Sequence, residues 1–189
     1  TLIVPLLQIG QLAITQETDM IPILTQYLSA LSPRALGPTS ARPYTTVDLT
    51  SGYFTLSGLF KSLVLSDAIH RHSQAPVFFR LVAASPEANG FYGSQGLSGR
   101  IPAAYTLLEK LFWNCVVDKQ LHAPVHSYVD ASDPVSEGPL APVELREWSK
   151  YGWTYHEKGL WITGPSLEQP VPVSYTHLQA HATKAILEC

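Results

Sequence analysis

The stretch Pro76-Val-Phe-Phe-Arg-Leu-Val-Ala-Ala84 decides the fold. It is apolar at almost every position, the pattern of a strand covered on both faces. Upstream, Tyr44–Phe54 alternates, is rich in β-favouring residues and ends at Ser51-Gly52. Between the two, Leu56, Leu59, Phe60, Leu63 and Val64 recur at helical spacing across Leu56–Leu65. Strand, helix, strand is the signal of a βαβ unit, so the expected fold class is α/β: a mixed, mostly parallel sheet flanked by helices.

Working outward, Pro102–Val117 is the clearest helix, with Pro102 in its first turn and an inward stripe of Tyr105, Leu108, Leu111, Phe112 and Cys115. Phe112 and Trp113 read as packing residues and Cys115 as a buried thiol. Glu17–Leu31 reads as an amphipathic helix with Thr18 or Asp19 as N-cap. Thr1–Leu7 reads as an edge strand or extended connector, Ser32–Pro43 as a loop, and Asp118–Pro142 as a surface insertion. Val143–Trp148 reads as a strand that pairs with 152–162 across a turn at Ser149–Gly152.

The 189 residues suffice for one domain with a sizeable core. Hydrophobic residues make up 46% and charged residues 14%, a globular and somewhat apolar balance. A net charge of −3 gives no footing for a nucleic-acid partner. No run approaches 18 uninterrupted apolar residues, so no transmembrane helix is read from the sequence. Two cysteines, Cys115 and Cys189, make no disulfide framework. His70-x-His72 reads as solvent-exposed, and His122 and His126 are separated by Pro124, which spoils a helical metal pair.

Two segments carry chemistry. Ser85–Gly99 follows a strand, precedes a helix, and has Gly90, Gly93, Gly96 and Gly99 at intervals of three. A loop at the carboxyl end of a parallel strand is where backbone meets a substrate phosphate or ribose. It is neither G-x-G-x-x-G nor a Walker loop, which excludes a dinucleotide site. The second is Tyr151-Gly-Trp-Thr-Tyr-His156-Glu-Lys158-Gly-Leu-Trp-Ile162, read as a strand. On a strand, His156 and Lys158 share a face and lie about 6.5–7 Å apart. An imidazole can attack phosphorus or protonate a leaving oxygen while an ammonium neutralises a non-bridging oxygen.

The strings Leu49-Thr-Ser-Gly-Tyr-Phe54, Ala83-Ala-Ser-Pro-Glu-Ala-Asn-Gly-Phe-Tyr-Gly-Ser-Gln-Gly96, Ile101-Pro-Ala-Ala-Tyr105 and Gly152-Trp-Thr-Tyr-His-Glu-Lys-Gly-Leu-Trp161 occur in this order. Together they closely resemble the second half of the eukaryotic, mitochondrial-type phosphatidylglycerophosphate synthases of the phospholipase D superfamily. The resemblance covers roughly residues 1–170. It implies a phospholipase D-like lobe: residues 1–172 as the second, C-terminal lobe, truncated, lacking the N-terminal lobe of the same chain. It further implies transfer of a phosphatidyl group from CDP-diacylglycerol to glycerol 3-phosphate, with release of CMP. His156 would be general acid/base and the nucleophile would lie on the other lobe, though the reverse assignment stays open. Lys158 would hold phosphoryl oxygens, and Ser85, Asn89, Gly90, Gly93 and Gly96 would contact substrate. No metal or organic cofactor is implied. The location implied is mitochondrial, peripheral to the inner membrane.

The superfamily pattern His-x-Lys-x4-Asp places Thr163 where the Asp would stand, which leaves the orienter of His156 open, with Glu147 and Glu157 as candidates by proximity. Two other readings compete: another phospholipase D-type phosphatidyltransferase (a serine or cardiolipin synthase) and a non-catalytic interaction lobe. The strings Gly90-Phe-Tyr-Gly93 and Gly159-Leu-Trp161 argue against the first. Residues 173–189, containing Val173-Ser-Tyr-Thr-His-Leu-Gln-Ala-His-Ala-Thr183, look like the translation of a sequencing adapter. They are expected to be a non-native tail, with His177, His181 and Cys189 outside any functional argument.

Overall fold

The computed structural model describes residues 8–9, 12–30, 44–56, 58–73, 75–122, 141–164 and 171–173. A short antiparallel pair, β1 (Gln8–Ile9) and β2 (Ile14–Thr15), leads into α1 (Gln16–Ser29). Then follow β3 (Thr45–Ser51), α2 (Gly58–Val64), β4 (Val77–Ala84), α3 (Ile101–Asp118), β5 (Val143–Trp148), β6 (Lys158–Thr163) and β7 (Val171–Val173). Among the described residues the main sheet has the order β5-β4-β3-β6-β7. β3, β4 and β5 are mutually parallel, and β6 joins β3 and β7 joins β6 antiparallel. The βαβ reading of 44–84 therefore holds, as does the mixed α/β class, with the parallel pairings among β3, β4 and β5.

The registers put Val47, Phe79 and Val143 in one row and Leu49, Leu81 and Leu145 in the next, with Ile162 and Leu160 completing them on β6. On this face one apolar cluster joins the sheet to Ile21, Leu24 and Leu28 of α1, Phe60, Leu63 and Val64 of α2, and Phe112 and Val116 of α3. Full burial of side chains of this size stabilises by about 1.5–3 kcal/mol each. The opposite face carries Asp48, Arg80 and Glu144 in one row, and the Arg80 Nη2 donates to Asp48 Oδ2 at 2.8 Å. The alternation of apolar and ionic rows fixes the strand register, because a one-residue slip would turn the ion pair into the core.

Several expectations change. β5 does not pair with β6: it lies beside β4, and β6 lies beyond β3. The helix α3 crosses between β4 and β5 and so makes that pair parallel. Residues 149–157 then carry the chain back over the sheet edge. The strand read at 151–162 starts only at Lys158, because Gly152 turns at φ +74° and the Tyr155 N–H is spent on the Ala88 carbonyl rather than on a ladder. α1 starts at Gln16, directly after β2, so neither Thr18 nor Asp19 caps it.

On α3 the buried side runs through Pro102, Glu109, Phe112 and Val116. Leu111 is 49% exposed, and Cys115 is only half-buried, its thiol donating to the Leu111 carbonyl at 3.4 Å. His70 is not a surface residue: its Nε2 donates to the Val64 carbonyl at 2.7 Å and its ring meets Phe79, and burial pulls its pKa below the usual value. Val173, assigned to the tail, is the last residue of β7 and lies opposite Leu160. Thr1–Leu7, the loop at 32–43, His126 and residues 174–189 lie outside the described residues, as does most of the insertion at 118–142.

Candidate active site

The carboxyl ends of β3, β4 and β5 share one edge, and β6, running the other way, begins there. Ligands of open α/β sheets gather at such an edge. Lys158 is the partner of Ser51, the last residue of β3, and the same row continues to Ala83 and Glu147. Beyond Ser51 the chain turns sharply. The Ser51 hydroxyl donates to the Tyr53 carbonyl at 2.6 Å and accepts from the Tyr53 N–H at 3.3 Å. Gly52 sits inside this turn with its N–H donating to the Glu157 carbonyl at 3.1 Å. A Cβ there would stand 2.2 Å from the Tyr155 carbonyl oxygen, so only glycine lets the two segments approach this closely.

The turn after β4 supplies the second wall. The Ser85 N–H donates to the Trp148 carbonyl at 2.9 Å, and its hydroxyl accepts from the Ala88 N–H at 3.3 Å, which caps the single 3₁₀ turn Pro86–Ala88. Asn89 is buried, and its Oδ1 accepts from the Phe91 N–H at 3.0 Å. The Ala88 carbonyl accepts from the Tyr155 N–H at 2.9 Å. Tyr155 also stacks on Trp148, with ring centroids 5.2 Å apart. The residue preceding His156 is thus clamped by both the β4 and the β5 ends.

His156 points its Nε2 at Tyr53 and Gly90. The Tyr53 hydroxyl is 3.4 Å from Nε2, and the two rings meet edge to face at 5.5 Å. A Cβ on Gly90 would lie 3.2 Å from Nε2 and 3.3 Å from the Tyr53 hydroxyl. The Lys158 ammonium lies 5.3 Å from the centre of the Tyr53 ring and donates to the His156 carbonyl at 3.5 Å. The expected meeting of the His/Lys segment with the glycine-rich loop therefore occurs, at Gly90. It does not come from a shared strand face: His156 lies on the crossing segment and Lys158 opens β6.

The other expected substrate contacts divide. Ser85 and Asn89 are buried and hold the loop's own backbone. Gly93 and Gly96 have φ of +73° and +68° and open space around them. They serve the left-handed turns of an exposed loop and lie apart from the His156 contact. Of the two candidate orienters, Glu147 lies three strands from Lys158 in the same row, about 14 Å at the usual strand spacing. Glu157 accepts from the Tyr155 hydroxyl at 3.3 Å. Among the described residues the hydrogen-bond partner of the His156 ring is instead Tyr53, which sequence reading quoted but did not assign. Its position two residues past the end of β3 was the available signal.

Burial raises the pKa of Tyr53, and burial followed by the nearness of Tyr53 raises that of Tyr105, whose ring lies 5.5 Å from it. Both hydroxyls therefore stay protonated near neutrality. Glu109 on α3 is pushed up to about 8, first by burial and then by the nearby Glu147 carboxylate. Among the described residues no cluster of three metal-ligating side chains occurs, and no helix is long and apolar enough to cross a membrane.

No protein-family model matches the chain. Curated proteins do. The human protein named CDP-diacylglycerol–glycerol-3-phosphate 3-phosphatidyltransferase, mitochondrial, is 35% identical over 124 residues, which is 66% of this chain. The chicken protein of the same name is 33% identical over 126 residues, and the Saccharomyces cerevisiae protein named CDP-diacylglycerol–glycerol-3-phosphate 3-phosphatidyltransferase is 33% identical over 121. These matches cover 60–66% of this chain and about 18% of the length of each of these relatives.

Proposed function

We propose that this chain is a lobe of a phosphatidyltransferase that moves the phosphatidyl group of CDP-diacylglycerol to glycerol 3-phosphate, giving phosphatidylglycerophosphate and CMP, in the mitochondrion. The observation that carries the reading is the convergence of His156, Lys158 and Gly90 at the carboxyl edge of the sheet. Homology to proteins named for that reaction supplies the substrates.

In the reaction the phosphorus–oxygen bond to CMP breaks and a bond to a nucleophile forms. That bond is then replaced by one to the 1-hydroxyl of glycerol 3-phosphate. His156 gives a proton to the departing CMP oxygen and takes one from the incoming hydroxyl, so it ends as it began. Lys158 faces the non-bridging oxygens, whose charge grows in the transition state. The nucleophile is contributed by a second lobe, because one imidazole cannot serve both roles in a two-step displacement. Gly90 keeps side-chain atoms away from the His156 ring, and the turn built by Ser85 and Asn89 holds Gly90 there. The enzyme associates peripherally with the inner membrane, where its lipid substrate lies.

The test is CMP release by the full-length gene product. Release that requires CDP-diacylglycerol and glycerol 3-phosphate, and is not supported by serine or phosphatidylglycerol as acceptor, is the expected result. Release with serine or phosphatidylglycerol in place of glycerol 3-phosphate would assign a different phosphatidyltransferase. No release with any of the three acceptors would leave an interaction lobe.

A further inference from the structure

We infer that Tyr53 is the positioning residue of this site, holding His156 with its hydroxyl and Lys158 with the face of its ring. The inference rests on the proposed reaction for its meaning, but on geometry for its content. One side chain touches both of the groups that the reaction needs. Its hydroxyl is 3.4 Å from His156 Nε2, and its ring centre is 5.3 Å from the Lys158 ammonium. Its ring is itself fixed, only 5% exposed, with Phe91 at 6.0 Å and Tyr105 at 5.5 Å between centroids. The Ser51 hydroxyl closes the backbone turn beneath it. Its raised pKa keeps the hydroxyl protonated across the neutral range.

This contact fills the place left open by the departure at Thr163. An imidazole acts as acid or base only when one nitrogen carries the proton and the ring points the right way, and a hydrogen-bond partner sets both. Neither Glu147 nor Glu157 does so here, and Tyr53 does. Because a neutral hydroxyl replaces a carboxylate, it fixes the ring without adding a negative charge beside the phosphoryl group. The ring face meanwhile attracts the ammonium and keeps it at the same edge of the site.

The test separates the hydroxyl from the ring. In the 189-residue chain, long-range ¹H–¹⁵N spectra of the histidine rings read the tautomer ratio of His156, with His70 as internal control because its Nε2 has its own carbonyl partner. Tyr53→Phe is expected to change the His156 ratio and leave His70 unmoved. Gly90→Ala, whose methyl would wedge between Nε2 and the hydroxyl, is expected to move His156 the same way. In the full-length gene product, Tyr53→Phe is expected to lower kcat by about tenfold or more with KM for CDP-diacylglycerol little changed, and Tyr53→Leu to lower it further. An unchanged His156 spectrum in both Tyr53→Phe and Gly90→Ala overturns the inference. So does Tyr53→Phe turnover equal to wild type. Activity that survives His156→Ala would instead overturn the proposed reaction, while the spectra would still report whether Tyr53 holds the ring.

Discussion

At the scale of single residues the site makes unequal demands on neighbours in sequence. Lys158→Ala is expected to lower turnover by about 10²-fold or more through lost charge neutralisation. Lys158→Arg is expected to restore little, because a planar guanidinium does not replace a compact ammonium held over a tyrosine ring. Rates of CMP release by the two variants check both statements. Glycine at 52 is required for a different reason. A Cβ there meets backbone rather than a flexible side chain, at 2.2 Å from the Tyr155 carbonyl oxygen. Gly52→Ala is therefore expected to destabilise the fold by about 1–3 kcal/mol or more and to displace His156, read by thermal melting together with the histidine spectra. What sequence reading anticipated at this scale was the approach of the 85–99 loop to the His156 segment, which occurs at Gly90. It could not see Tyr53 as the common support of His156 and Lys158, since 103 residues separate it from His156 and only the fold brings them together.

At the scale of elements, the strands and helices with strong patterns were legible and the pairing of weak ones was not. The run at 76–84 was legible as a strand because it is apolar at almost every position, and it lies inside the sheet between β3 and β5. β5 was legible as a strand but not by partner, because its few apolar residues suit either neighbour and a short turn at 149–152 suggested a hairpin. The aromatic segment 151–157 has β-favouring residues yet forms no ladder, since the edge it crosses takes up its backbone groups. The inward stripe read for α3 fails at Leu111 and Cys115, and it leaves out a residue with a consequence. Glu109, absent from that stripe, lies inside, and its pKa is raised to about 8. The unfolded chain releases that proton near the ordinary glutamate value, so between there and about pH 8 the native state binds more protons than the unfolded one. Stability from this group is thus present at low pH and is lost as pH rises towards 8. Glu109→Gln is expected to flatten the fall in melting temperature between pH 5 and pH 8, and to make the chain more stable at the upper end. A fall just as steep in the variant would show that Glu109 is not the group responsible.

At the scale of the whole molecule, the fold serves to bring three chain segments, at 51–53, 85–90 and 155–158, to one edge of the sheet. The α/β class was readable because strand–helix–strand order has few packing solutions. The order of the last strands was not, because it depends on which edge of β3 remained free. The purified 189-residue chain is expected to release no CMP above background, because the second group of a two-step displacement is not among its described residues. Turnover by that chain at the rate of the full-length protein would contradict this. Phosphatidyl transfer through His156 is tested by comparing glycerol 3-phosphate-dependent CMP release by the full-length protein, its His156→Ala variant and its Glu157→Gln variant. The expected result is a loss of about 10²–10⁴-fold for His156→Ala and a mild effect for Glu157→Gln, whose carboxylate pairs with Tyr155. Near-normal release by His156→Ala, or equal damage from both variants, would contradict it.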